Sequence, residues 1–336
     1  MNIKLKYLAK KLDGKLFGNG EILIKGFRSI NEPKKNYISF YNEFIPEEKL
    51  IGKRNKDISL LTNIPIEGFH CIVVDERSLN EKTEELLKYF EIKEKFNKGI
   101  HPTAIIGKKI RLGKDVSIGA HTTVGDFVKV GDNTIIYPNV VVYPKVKIGN
   151  NCKIHSGVVL RGGVELGDNV EIDANASIGT TGFERGFTKD KLDILPLNAG
   201  VKIKKNVFIG ANSIICKGTT LETIVGNGSK IDGMVYIAHG VKIGKFCRIA
   251  GQSGISGKSF IDNEVSIGGQ VGIDDNIYIG KKAFIASRSG VIKKVGKNEI
   301  VAGFPSLERN KWKKIQVIIR KLPEIWEKIK KVESKL

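Results

Sequence analysis

Residues 106–130 read Ile106-Gly-Lys-Lys-Ile-Arg-Leu112-Gly-Lys-Asp-Val-Ser-Ile118-Gly-Ala-His-Thr-Thr-Val124-Gly-Asp-Phe-Val-Lys-Val130, with an aliphatic residue at every sixth position. The series continues through Ile136, Val142, Ile148, Ile154, Leu160, Leu166 and Ile172 to Ile178. A second run goes from Val225 through Ile231, Ile237, Ile243 and Ile249 to Val291 at the same spacing. Neither a helical period near 3.6 nor simple alternation selects one residue in six. A triangular parallel β-helix does, because each hexad forms one short flat face and one corner, and three hexads complete a coil. The hexads predict about nine to ten coils, roughly 45 Å tall at a strand spacing of about 4.8 Å. Gly follows the aliphatic residue at Gly107, Gly113, Gly119, Gly125 and Gly131, where a corner is expected to need unusual backbone angles and close packing. Asn and Asp at Asp132-Asn133 and Asn150-Asn151 tolerate left-handed angles for the same reason.

The fold class expected is therefore β-rich, and the repeat divides the chain into three parts. Residues 1–100 lack the hexad and read as a small α/β domain. Tyr7 to Leu12 and Glu81 to Tyr89 have helical character, and Glu21 to Phe27 and His70 to Asp75 have the β-formers of strands. Residues 101–303 are the β-helix, entered at His101-Pro102. Residues 304–336 return to helical spacing, and Pro323 is expected to divide or kink that helical tail. The register slips twice. From Ile178 to Ile203 the spacing is 25, so 179–201 is expected to leave the prism as a loop that touches ligand. From Ile215 to Val225 it is 10, so residues around Thr219 to Glu222 bulge out.

The chain has 336 residues and a net charge of +20, from 56 Lys and Arg against 36 Asp and Glu. That balance suits acidic partners, but the lysines are spread along the whole chain and no nucleic-acid module or aromatic-basic interleaving is present. From Ser306 onward ten Lys and Arg face four Asp and Glu, so the tail is expected to receive an acidic protein. No stretch is long and apolar enough to span a bilayer, and the lysine-rich start is unlike a signal peptide, so a soluble cytoplasmic protein is expected. Cys71, Cys152, Cys216 and Cys247 are isolated and read as reduced thiols.

Five histidines are present, at 70, 101, 121, 155 and 239. His239 follows the inward Ile237 by two and falls at a corner among small residues, including Gly233, Gly240, Gly251 and Gly254. A histidine in a cleared groove suits a general base in acyl transfer, where the acceptor loses a proton as it attacks. Asp232, seven residues earlier, is a candidate to orient the ring. A zinc site on such a prism needs three converging histidines, and the spacings contain no close pair; no metal is expected. A non-catalytic β-helix binding protein is the further alternative.

The segment 226–273, with Ile237-Ala238-His239, Gly251-Gln252-Ser253-Gly254 and Gly268-Gly269-Gln270-Val271-Gly272, resembles the UDP-3-O-(3-hydroxyacyl)glucosamine N-acyltransferases of lipid A (lipopolysaccharide) biosynthesis. Leu8-Ala9-Lys10-Lys11-Leu12, Ile38-Ser39-Phe40, Thr180-Thr181-Gly182-Phe183 and Gly303-Phe304-Pro305 with Trp312 extend the resemblance over the whole chain. It implies a left-handed β-helix, a homotrimer with its active sites between subunits, and a uridine-binding N-terminal domain. His239 would be the base and Asp232 its partner. Phe40 would stack on uracil. Phe183 and the 179–201 loop would shape the donor groove, and Gly233, Gly240, Gly251 and Asn276 would line the substrate sites. No bound cofactor is implied. The acyl donor would be acyl carrier protein, with an acyl-CoA donor for a relative acting on another nucleotide-linked amino sugar. Four positions depart from the family pattern: Gly233 and Gly240 stand where it has Asn, Asn276 where it has a second His, and Asn42 to Pro46 lack its uracil-contacting Tyr.

Overall fold

The computed structural model describes residues 2–50, 58–90, 97–182, 199–218 and 220–333, with the backbone of 186–188 and 191–193. The chain forms two compact units, Met1–Lys95 and Phe96–Leu336.

The first unit is built on a four-stranded sheet in the order Lys15–Phe17, His70–Val73, Ser59–Thr62, Ile38–Phe40. Its first pair is antiparallel and the other two are parallel. Helices α1 (Leu5–Lys11) and α2 (Leu79–Tyr89) share one apolar core with Leu61 and Ile72. A second core holds Leu60 and Cys71, the next residues along the same strands, with Tyr41 and Phe69. Because successive side chains point to opposite faces, a sheet covered on both sides buries a continuous run, and Ser59 to Thr62 are all buried. Such a run lacks the alternation that marks a strand in sequence. The stretch expected as a strand from Glu21 to Phe27 is regular only at Leu23–Ile24.

The second unit is a left-handed parallel β-helix. Its three faces hold eleven, ten and nine parallel strands, named here face 1 (from Gly99–Ile100 to Ile300–Ala302), face 2 (from Ile105–Ile106 to Gly290–Val291) and face 3 (from Arg111–Leu112 to Tyr278–Ile279). Leu307–Glu308 adds one antiparallel strand to the end of face 1. Residues eighteen apart pair directly, as Ile118 with Ile136 and Ile136 with Ile154. The hexad aliphatics form one inward column on each face. A second inward column lies two residues before them and takes smaller side chains such as Val128, Val140, Cys152 and Val158. Thr122 and Thr134 also stand there, each hydroxyl donating to a backbone carbonyl, Tyr137 O and Gly149 O, at 2.8 Å. The polar atom is thereby satisfied inside the core.

The corners correct one expectation. The glycines after the hexad residue, such as Gly107 and Gly113, do not take positive φ, except Gly179 (φ 81°) at the first slip. They are small for space alone: a Cβ on Gly107 would lie 2.6 Å from Asp126 Oδ1. The left-handed residue comes two positions later and recurs every sixth residue, as Asp115, His121, Phe127, Asn133, Asn139, Lys145 and Asn151, with φ of 53–66°. Asn tolerates this conformation, whereas Phe and Lys pay roughly 1–2 kcal/mol each for it.

Helix α3 (Arg309–Glu333) ends the described chain and runs as one helix through Pro323, not as two. No helix among the described residues is long and apolar enough to cross a membrane.

The corner geometry makes a stability prediction. Lys145 (φ 66°) is exposed and left-handed, so Lys145→Asn should stabilise the prism by up to about 1 kcal/mol. A rise in the thermal unfolding midpoint checks this; a fall contradicts it.

Candidate active site

Both register slips and His239 lie on one edge of the prism, between faces 2 and 3, in three consecutive coils. The first departure, 182–200, lies between Ser177–Thr181 on face 2 and Val201–Ile203 on face 3. Its described part contains an antiparallel pair, Gly186–Thr188 with Lys191–Asp193. One coil on, Gly218 and residues 220–222 bulge between Ile214–Lys217 and Thr223–Val225. In the next coil the corner Ala238-His239-Gly240-Val241 joins Tyr236–Ile237 to Lys242–Ile243.

The bulge helps hold the histidine. Thr223 Oγ1 accepts from Gly240 N at 2.9 Å and donates to Cys216 O at 2.6 Å, tying the corner to the coil below. Lys258 N donates to His239 O at 2.9 Å from the coil above. A Cβ on Gly218 would lie 3.6 Å from His239 Cβ, and one on Gly240 would lie 3.3 Å from Leu221 Cβ, so the bulge packs on this corner. Gly240 has φ 67°, a conformation that only Gly and Asn adopt readily. The departure from Ala-His-Asn to Ala238-His239-Gly240 therefore preserves the backbone. His239 is half-buried, its Nδ1 shut off from solvent. Its ring lies over Gly257, one coil above, where a Cβ would stand 2.5 Å from Nε2 and 2.7 Å from Cε1.

Asn276 lies on the same edge, two coils beyond Gly240, with φ 58°. Asp232, Gly233 and Gly251 lie elsewhere, on the edge between faces 1 and 2. Asp232 Oδ1 accepts from Gly233 N at 2.8 Å and Oδ2 from Gly251 N at 3.2 Å. Asp232 and His239 belong to one coil, but the width of face 2 separates them, roughly 16 Å at about 3.3 Å per residue. Within one chain the structure does not bring them together. Phe183 lies outside the described residues. Phe40, in the first unit, is half-buried against the core of α1 and α2. Just past the ends of two adjacent parallel strands, Asn42 Oδ1 and Asn63 Oδ1 are buried without a hydrogen-bond partner among the described residues.

Sequence reasoning expected a cleared groove at His239, with Gly254 among its small residues, but missed the glycine column that extends it. On face 2 the outward residues Tyr236, Gly254, Gly272 and Gly290 stack in successive coils. The three glycines leave a trough of about 530 Å³, walled by Ser256 and Asp274 on the His239 edge and by Gln270 and Arg288 on the other. Arg288 Nε donates to Gln270 Oε1 at 2.9 Å, bracing that wall. Phe304 packs its ring against Gly290, where any Cβ would collide with it, and lines the far end. The signal was available as glycine at an exact spacing of eighteen, 254, 272 and 290, hidden among glycines that serve corners.

Burial pushes the thiols of Cys71, Cys152, Cys216 and Cys247 above their ordinary value, so they are poor nucleophiles. Among the described residues no three His, Cys, Asp or Glu side chains converge in a way that holds a metal.

A family model for bacterial transferase hexapeptides (six repeats) matches residues 127–162 and 145–180, and one for the hexapeptide repeat of succinyl-transferase matches 109–144 and 200–239. A UDP-3-O-acylglucosamine N-acyltransferase of Methylacidiphilum infernorum is 44% identical over 345 residues, covering 100% of this chain and 95% of the relative. Another with that name, from Desulfotalea psychrophila, is 37% identical over 99% of this chain and 96% of its own length. Among solved structures, an Arabidopsis UDP-N-acetylglucosamine acyltransferase is 26% identical and superposes with a TM-score of 0.56 over 62% of this chain and 73% of its own.

Two outcomes are expected. Gly257→Ala should push the His239 ring off its seat by about an ångström, since carbon atoms do not sustain so short a contact; a crystal structure of the variant with the ring unmoved contradicts this. An alkylating reagent at about pH 8 should leave all four cysteines unmodified until the chain is unfolded; labelling of the native protein, read by mass spectrometry, contradicts it.

Proposed function

The chain belongs to the UDP-3-O-acylglucosamine N-acyltransferases and is an acyltransferase, and from that premise we propose that it moves a 3-hydroxyacyl chain from a carrier thioester to the 2-amino group of a UDP-linked glucosamine in lipid A synthesis. The observation that carries this reading is the trough beside the His239 edge. It spans about three coil spacings, about 14 Å, which suits a fatty chain and is far longer than an acetyl group requires. Its floor is glycine and its end is an aromatic ring, so it offers an extended chain van der Waals contact without a charge on the floor.

In the reaction the amine nitrogen attacks the thioester carbonyl carbon, the C–N bond forms and the C–S bond breaks. His239 takes the amine proton and returns it to the departing thiolate, the two halves of general base and acid work. Nδ1 is shut away from solvent, so Nε2 makes the transfer. In the N-terminal unit Phe40 offers a ring for uracil, and the orphaned Asn42 and Asn63 oxygens offer acceptors for its imino N–H.

The working unit is a homotrimer in the cytoplasm. Face 2 supports this. From Ile105 through Val141, Ile214 and Tyr236 to Gly290, none of the ten outward residues that stack from coil to coil is charged, and Lys217 at the end of its strand is the one charged strand residue, whereas faces 1 and 3 carry Lys153, Lys230 and Arg248, and Lys129, Lys147 and Lys242. A ring of three must join two different patches at each interface. Turning face 2 inward sets one of its edges against the other edge of the next prism. His239 then faces Asp232 of the partner subunit, at nearly the same height because both lie in one coil. The basic tail is the docking site for an acidic acyl carrier protein.

His239→Ala should cut N-acyl transfer to a UDP-3-O-acylglucosamine by roughly 10²–10⁴-fold, with the trimer intact by sedimentation; undiminished transfer overturns the mechanism. Phe304→Ala should shift the preferred donor to a longer acyl chain in a competition among carrier thioesters of graded length. An unchanged preference would remove Phe304 from the end of the groove.

A further inference from the structure

The edge between faces 2 and 3 carries two cations on the N-terminal side of His239. Lys217 stands two residues after Ile215, as His239 stands two after Ile237, and these two isoleucines pair in consecutive coils. Lys217 therefore holds the same corner position as the histidine, one coil below it. Arg161 opens the corner two coils below Lys217, after Val159–Leu160. Its guanidinium lies over the Tyr143 ring, 5.4 Å from the centroid. Both cations are half-buried, and neither has a carboxylate partner among the described residues. Glu222, on the bulge beside Lys217, is taken by Lys202 at 2.8 Å. Burial, with the charge of Arg161 adding to it, pulls the Lys217 ammonium below its ordinary value. Like charges held together and partly out of water call for an anion between them.

The trough lies on the other side of the histidine. It rises from Tyr236 through Gly254 and Gly272 to Phe304, toward the C-terminal end of the prism. An acyl chain in it leaves His239 upward. The edge left for the acceptor runs downward, past Lys217 to Arg161. The spacing fits the acceptor's charge. In a hexosamine 1-diphosphate the amine nitrogen and the first phosphorus are roughly 4–5 Å apart, about one coil spacing. With the amine at the His239 ring, the first phosphate stands at the height of Lys217. The second, which joins the ribose, stands between Lys217 and Arg161.

We infer that Lys217 and Arg161 hold the diphosphate of the UDP-sugar acceptor and so set its amine against His239. The inference rests on the function proposed above. Lys217 supplies a point charge to the sugar-side phosphate, and Arg161 supplies a planar fork to the ribose-side phosphate.

The test titrates the full chain with UDP, UMP and uridine. Lys217→Met should weaken UDP by about 10–100-fold, the range for hydrogen bonds to charged groups, and spare UMP and uridine. Arg161→Met should weaken UDP and UMP alike and spare uridine. Lys217→Arg, which keeps the charge, should restore UDP binding, as it would not if the lysine served packing alone. In transfer assays the Met variants should raise the KM for the UDP acceptor and leave that for the carrier thioester in place. Met variants that bind UDP as the parent does overturn the inference, while transfer by the parent leaves the proposed function standing. Met variants that lose UDP and uridine together also overturn the assignment to the diphosphate. A parent that neither binds UDP nor acylates a UDP-hexosamine overturns both readings.

Discussion

Everything in the prism depends on one left-handed residue at each corner. With φ near +60° every sixth residue, the chain turns at fixed intervals, three turns close a coil, and position i lands on position i+18. Inward residues become continuous columns, outward residues become three faces, and corners become three edges. The cost of about 1–2 kcal/mol for each residue that is neither Gly nor Asn is met by the columns, where each fully buried Ile or Val contributes about 1.5–3 kcal/mol. The protein can therefore place Phe127, Lys145 and Met234 at left-handed corners and still hold register.

Against so regular a lattice, function is visible as interruption. The inserted segment, the bulge and the His239 corner occupy one edge in consecutive coils, and the bulge braces the histidine through Thr223 and Leu221. The adjoining face carries no charge in its outward column of ten stacked residues, and loses its side chains over three coils. A face with no charge suits contact with another copy of the chain, and a face without side chains suits an extended apolar ligand. Both properties meet beside His239. The trough, the proposed trimer and the proposed base thus share the same edge and face.

Much of this could be read from the sequence, because a period of six is independent of tertiary context. The fold class, the two slips and the corner position of His239 all follow from counting. What could not be read is which hexads share an edge. Asp232 and His239, seven residues apart, look like neighbours, yet the intervening hexad carries them to opposite edges of a face. The length of the groove was hidden because Gly254, Gly272 and Gly290 are eighteen residues apart and each looks like any other repeat glycine. In the first unit, strands of two to four residues buried on both sides leave no alternation to read, and only α1, α2 and His70–Val73 stood out. Pro323 predicts a division or a kink, and one missing N–H in a helix of 25 residues does not divide it.

In the proposed trimer His239 of one subunit works opposite Asp232 of the partner subunit. Chains carrying His239→Ala and chains carrying Asp232→Ala, each inactive alone, should be co-expressed and the mixed trimers isolated. A trimer containing both kinds of chain has one interface at which an intact histidine meets an intact aspartate, so transfer should return at up to about one site in three. If the mixed trimers stay as inactive as either parent, the two residues do not form a site across the interface, and the account of the active site is wrong.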